Sequence, residues 1–302
     1  ESNRPSAVVT ATVVLENTEG ETFSLLFRNG AYRATIPDND PSFRVAPGLG
    51  YRIRVNTREG EEYETAFDVL PEPLPIEGVE AVRGLVEVEN VIGRPEDVPA
   101  YEFRVTAPVN YPDGSPTFIR WTLERTYKVT DLPELRPFDM NDPKVCYVTR
   151  AFDGSNLILF NSLESTADRV EDFPLTTQVI NFEFAEGYVM TVYQEAISRE
   201  ANRYFSQVAQ IASRESSLFE PPAGPVVGNA RDVNGETNNV FGFFYATSRT
   251  LDRLAVSPAA AGNPGFYCPL SRGMSPFPQP NNCDNCLFID GSFLVRPEWF
   301  PF

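Results

Sequence analysis

One small pattern, repeated along the chain, constrains this sequence most: a short run of β-branched and aromatic residues, then a turn. SAVVTATVVLEN (residues 6–17), FSLLF (23–27), AYRATI (31–36) and YRIRVNT (51–57) are separated by NTEGET and RNG. In YRIRVNT, Tyr51, Ile53 and Val55 alternate with Arg52, Arg54 and Asn56, which marks a strand with one dry and one wet face. Glu59-Gly60 then reads as the turn of a hairpin. Strands recurring at roughly eight-to-twelve-residue intervals predict a small β-sandwich of the immunoglobulin or transthyretin type.

VLPEPLPIEGVE (69–80) interrupts this pattern with closely spaced prolines. Proline donates nothing to a ladder and holds the chain extended, so residues 71–80 are expected to link an N-terminal sandwich (1–70) to a second domain (81–302). The second region is again β-rich and is expected to be barrel-like or sandwich-like. YEFRVTAP (101–108), FIRWTLERTYKV (118–129), VCYVTRAF (145–152), NLILFNS (156–162), VINFEFA (179–185), YVMTVYQEA (188–196) and VFGFFYATS (240–248) all read as strands. Glu186-Gly187 reads as a hairpin turn. One helix is expected near 198–216, with Ala201, Tyr204, Phe205, Val208 and Ile211 at helical spacing, Ser198 as N-cap and Pro221-Pro222 beyond its end. Its simplest role is to lie over one end of a sheet.

Net charge is −17 and there is no histidine. The acidic surface repels phosphate backbones and anionic membranes, which argues against nucleic acid as a partner. Without histidine there is no Ser-His-Asp or Cys-His machinery and no histidine metal site. No dinucleotide, P-loop or nucleophile-elbow pattern appears in a fitting context. A paired-carboxylate hydrolase survives only because Asp and Glu are plentiful. No cofactor is expected. No stretch of eighteen apolar residues is present. ESNRPSAVV at the start has no signal-peptide pattern, and a chain opening on Glu is expected to be mature or trimmed.

Four cysteines remain: Cys146, Cys268, Cys283 and Cys286. A Cys₄ zinc site would show two close pairs, and here only CDNC (283–286) is close. That pair sits among Asn and Pro rather than opening a helix, so a redox couple does not fit either. The even count predicts two disulfides formed in an oxidising compartment. A bond inside CDNC would close a very short loop, so each of its cysteines is expected to reach outward, one to Cys268 and one to Cys146. The pinned loop precedes RPEWFPF, where Trp299, Phe300 and Phe302 crowd the end of the chain. Those aromatics either pack internally or form a docking surface.

The ordered stretches GAYRA, PGLGYRIRVNTREGEEYET, LPEPLPI, FIRWTLERTY, VCYVT, REANRYFSQVAQIASRESSLFEPP, VFGFFYATS and CDNC…GS…RPEWFP carry a resemblance. From about Ala11 to Phe302 the chain resembles the Bacteroidota surface-lipoprotein family known as domain of unknown function 4249, often encoded beside TonB-dependent outer-membrane receptors. The resemblance implies export and display on the extracellular face of the outer membrane, with no established catalytic residues. It implies a lipid anchor on an N-terminal cysteine outside this sequence as the only membrane attachment. The implied partner is an outer-membrane β-barrel receptor or transporter, and the implied role is ligand capture or support of assembly. Two alternatives stand beside this reading. One is a freestanding glycan- or peptide-binding module using aromatics such as Trp121, Tyr127 and Tyr193, although a core position fits them better. The other is a carboxylate-dependent hydrolase.

Overall fold

The computed structural model describes residues 8–132, 142–152, 157–165, 169–212, 226–235, 240–266 and 283–302. Chain order runs β1 (Thr12–Asn17), β2 (Thr22–Arg28), β3 (Ala31–Arg33), β4 (Gly50–Asn56), β5 (Glu62–Thr65) and β6 (Asp68–Val69). Then follow β7 (Gly78–Glu89), β8 (Pro95–Pro108), β9 (Phe118–Thr130), β10 (Val145–Ala151), β11 (Ile158–Asn161), β12 (Arg169–Val179) and β13 (Tyr188–Ala196). Helix α1 (Arg199–Ala212), β14 (Ala230–Asp232), β15 (Ser248–Val256) and β16 (Ser292–Phe293) complete the order.

Among the described residues the strands form three antiparallel sheets. A seven-stranded sheet runs β14-β5-β4-β1-β2-β3, with β6 also paired to β4. A six-stranded sheet runs β15-β13-β9-β10-β16, with β11 also on β9, and a three-stranded sheet runs β12-β8-β7. The molecule is mainly β, as the strand pattern predicts, and the described strands form open sheets and no closed barrel. The six- and three-stranded sheets instead face each other as layers. Period-two alternation supplies both inner faces: Tyr101, Phe103 and Val105 from β8 meet Ile119, Trp121, Leu123, Tyr188 and Met190 from β9 and β13. Trp121 stacks on Phe173 of β12 at 4.9 Å, and Tyr188 stacks on Phe184 at 4.1 Å.

Two local expectations change, and one lies partly outside the described residues. Residues 179–185 do not continue as a strand, because the Asn181 side chain accepts from the Glu183 N–H at 2.9 Å and caps a 3-10 turn that folds Phe184 into the core. Residues 240–247 run outside any strand. There Asn229 takes over the ladder bonds, donating from Nδ2 to the Phe244 carbonyl at 2.7 Å and accepting from the Phe244 N–H at 2.8 Å. Helix α1 is described only to Ala212, and 213–216 lie outside the described residues. The Ser198 Oγ accepts from the Ala201 N–H at 3.0 Å, as its N-cap role predicts. The helix lays Ala201 and Phe205 against Phe118, Ile197, Phe243 and Tyr245 at one end of the six-stranded sheet.

The expected division at 71–80 is narrower and less free than composition implies. Strand β7 already starts at Gly78. Before it, Leu74 is buried, and the Pro71, Leu74 and Pro75 carbonyls accept from Ser248 Oγ, Thr250 Oγ1 and Gln194 Nε2 respectively. Proline residues cannot donate, yet their carbonyls are accessible, and the six-stranded sheet takes them. The N-terminal sheet is also not made from 1–70 alone. Strand β14 extends it along β5, and Phe244 and Ala246 pack against Phe43 and Tyr51.

Candidate functional site

Strand β9 is paired without a break along its β13 edge and in two pieces along the other. β10 pairs with it from Thr130 to Glu124, β11 resumes at Trp121, and between them the only backbone bond described is from the Phe152 N–H to the Leu123 carbonyl at 3.0 Å. This interruption opens a cavity of about 500 Å³. Its apolar walls come from Leu123, Phe152, Ile158 and Leu175, and its polar groups from Arg120, Glu124, Gln178, Tyr193 and Arg249.

The polar side is held by a chain of charge contacts. Glu195 of β13 is buried; its Oε1 accepts from Arg249 Nη2 at 2.9 Å, and its Oε2 lies 3.5 Å from Arg120 Nη1. Arg120 Nη1 also donates to the Tyr245 hydroxyl at 2.7 Å, and its guanidinium lies over the Phe205 ring. The Arg249 guanidinium lies over Tyr193, whose hydroxyl donates to Glu124 Oε2 at 2.6 Å. Burial, and then Glu124, push the Tyr193 phenol above its ordinary value. Each member is fixed by another, so the rim is preorganised to offer donors, a carboxylate and a half-buried ring to a ligand with an apolar face. The signal for these residues lay in FIRWTLERTYKV. Arg120, Thr122 and Glu124 are the alternation partners of core residues Ile119, Trp121 and Leu123, but a strand alone does not tell which outward residues meet a neighbour.

A second cavity of about 420 Å³ lies between the seven-stranded sheet and α1, lined by Phe67, Asp68, Glu200, Tyr204, Asn229 and Phe243. Asp68 is buried there and accepts from the Ala246 N–H at 2.8 Å. Burial raises its carboxyl above the ordinary value, against the hydrogen bonds from Ser198 and Ala246. Among the described residues, no group of three or more Cys, Asp or Glu is placed to hold a metal ion.

The aromatics and cysteines weighed from sequence separate clearly. Tyr127 is core, Trp121 is core with one side against the cavity, and Tyr193 reaches the cavity rim. Cys146 and Cys286 are joined by a fully buried disulfide across 140 residues. Cys283 is also buried and disulfide-bonded, and Cys268 lies outside the described residues. The tail aromatics do not act as a set. Phe300 is fully buried against Tyr147 and Val189, and its carbonyl accepts from Arg296 Nε and Nη2. Phe302 covers Gly187, which sits at φ +113° and has no room for a Cβ beneath that ring. Trp299 stays 38% exposed under the Arg253 guanidinium. The three therefore cannot form one docking surface, because Phe300 is part of the core.

No curated protein and no solved structure matches the chain. The family model described as a domain of unknown function, DUF4249, matches residues 1–253, from the N-terminal sheet through most of β15, and the chain belongs to that family.

Proposed function

We propose that this protein is a non-enzymatic, exported lipoprotein of the outer-membrane surface that works as an accessory to a β-barrel transporter or related complex, in ligand capture or in assembly. The observation that carries the reading is the buried Cys146–Cys286 disulfide, since such bonds persist in oxidising compartments and not in a reducing cytosol. The partner class comes from the resemblance to surface lipoproteins encoded beside TonB-dependent receptors. The acidic chain, at net −17, fits a role that depends on neither nucleic acid nor anionic lipid. Purification of the full-length protein from outer membranes tests the proposal: a β-barrel protein should accompany it in a fixed ratio, and recovery without one would contradict it.

A second reading is favoured by the cavity between β10 and β11. Its preorganised Arg120, Tyr193, Glu124 and Arg249 rim suits a freestanding binding module for a glycan or peptide. Titrating the isolated protein with oligosaccharides and short peptides separates the readings: saturable binding without any barrel supports the module.

A further inference from the structure

Four turns share one backbone plan. In residues 17–21, 57–61, 90–94 and 111–115, the first residue's N–H donates to the carbonyl of the fifth, and its own carbonyl accepts from a glycine at the fourth position. Those glycines, Gly20, Gly60, Gly93 and Gly114, sit at φ +85°, +91°, +73° and +83°. The two tip residues between are Thr18-Glu19, Arg58-Glu59 and Pro112-Asp113 in three of the turns, and Val91-Ile92 in the remaining one. The plan itself thus asks for nothing apolar. Yet Val91 is fully exposed and Ile92 is 69% exposed.

This tip ends an arm in which none of residues 85–98 is fully buried. β7 and β8 stay paired out to Glu89 and Pro95, whereas β12 accompanies β8 only as far as Ala100. Residues 85–98 therefore project as a two-stranded ribbon past the third strand. The tip is nonetheless fixed, because Asn90 Oδ1 accepts from the N–H groups of Ile92 and Arg94, both at 3.1 Å. Glu87, Glu89, Glu96 and Asp97 flank it, all exposed, with Arg94 as the ribbon's one cation.

We infer that this arm is a docking element whose Val91-Ile92 tip enters an apolar pocket on a partner protein, with Lys or Arg around the pocket rim to meet the arm's carboxylates. The inference rests on the reading that the protein works with a protein partner, and it names the surface that reading lacks. A rigid tip loses little freedom on docking, which favours affinity. Charge complementarity selects the partner. A second copy would bring an equally acidic arm. A bilayer fits less well, because one acyl chain alone anchors only marginally and two aliphatic side chains offer less, while anionic headgroups oppose the carboxylates.

Photo-crosslinking in the cells that make the protein tests this. With a crosslinking residue in place of Val88, one dominant adduct is expected, and mass spectrometry should locate it on a peptide of another protein with apolar residues beside Lys or Arg. The double substitution Val91→Thr, Ile92→Glu borrows the tip of the 17–21 turn, so the melting temperature should hold while the adduct falls at least tenfold. An adduct to lipid, to a second copy or to a peptide without basic residues would overturn the inference, as would no adduct or one unaffected by the tip change. A barrel that co-purifies without an arm adduct would overturn the arm and leave the transporter reading standing. An adduct to a basic-rimmed protein that is no barrel would do the reverse.

Discussion

Gln194, near the end of β13, donates from Nε2 to the carbonyl of Leu74 at 3.1 Å, across 120 positions of sequence. The same amide donates to the Pro75 carbonyl at 3.0 Å and accepts from Trp121 Nε1 at 2.9 Å. One buried side chain thus ties the proline-rich segment to the largest aromatic of the core. Gln194→Ala leaves the Trp121 N–H without a partner, at a cost of about 1–3 kcal/mol, with more from the Pro75 carbonyl, while the Leu74 carbonyl keeps its bond from Thr250 Oγ1. Urea unfolding should show that loss. A proline-rich linker between domains would ordinarily be a protease site, but here broad-specificity proteases should spare residues 71–78 in the native protein. Rapid cleavage there would contradict the clamp.

The disulfide should contribute far more than its neighbours. Cys146 and Cys286 lie 140 residues apart in a native geometry with Cα atoms 6.0 Å from each other. Beside them, the Asp131 carboxylate accepts from the Lys144 N–H at 2.6 Å and the Cys286 N–H at 3.3 Å. Replacing both cysteines by Ala should cost about 2–5 kcal/mol, as removal of native disulfides does. Because both sulfurs are buried, mild reductant should leave the folded protein's bond intact. Mass spectrometry after brief reduction and alkylation reads this directly, and immediate labelling of Cys146 would argue against it.

The tail gives a sharp contrast between adjacent residues. Phe300→Ala empties a fully buried site and should cost about 3–5 kcal/mol. Trp299→Ala removes a half-exposed ring and its contact with Arg253, and should cost about 1 kcal/mol. Thermal melts of the two variants decide it. Equal losses would mean the tail packs differently from the geometry described here.

Asp68 gives a pH signature with a definite sign. Burial holds its carboxyl above the ordinary value of 3.8, so the folded state binds that proton more tightly than the unfolded chain does. Its stabilising contribution is therefore complete below the ordinary carboxylate value and is lost as pH rises through the raised one. Asp68→Asn removes this dependence, so the variant should gain on the native protein as pH rises from acid toward neutral. Glu183, also shifted upward by burial, is present in both proteins and drops out of the difference. Parallel melting curves across pH would refute the assignment.

Much of the architecture is legible in the sequence because it is local. Alternation in residues 51–57 and 118–129 sets strands β4 and β9 and their inner faces. The Ser198 cap and the 3.6 spacing set α1. What is not legible depends on partners far along the chain. Nothing near 71–78 announces that Ser248, Thr250 and Gln194 will accept its geometry, and nothing near residue 62 announces that β14 will pair there. Asn181 and Asn229 each override a strand-like run by supplying side-chain hydrogen bonds in place of a ladder. The cavity rim escapes a linear reading for the same reason: Arg120, Glu195, Arg249 and Tyr193 meet only once β9, β13 and β15 lie side by side.

On the proposed reading, this protein acts with a partner and not alone. Native mass spectrometry of the tagged full-length protein, extracted from outer membranes in mild detergent, tests it most directly. A discrete species heavier than the chain by one β-barrel subunit is expected, shifting to the mass of the chain alone when Val91 and Ile92 are replaced by Thr and Glu. A native protein recovered only at its own mass would contradict a partnered role.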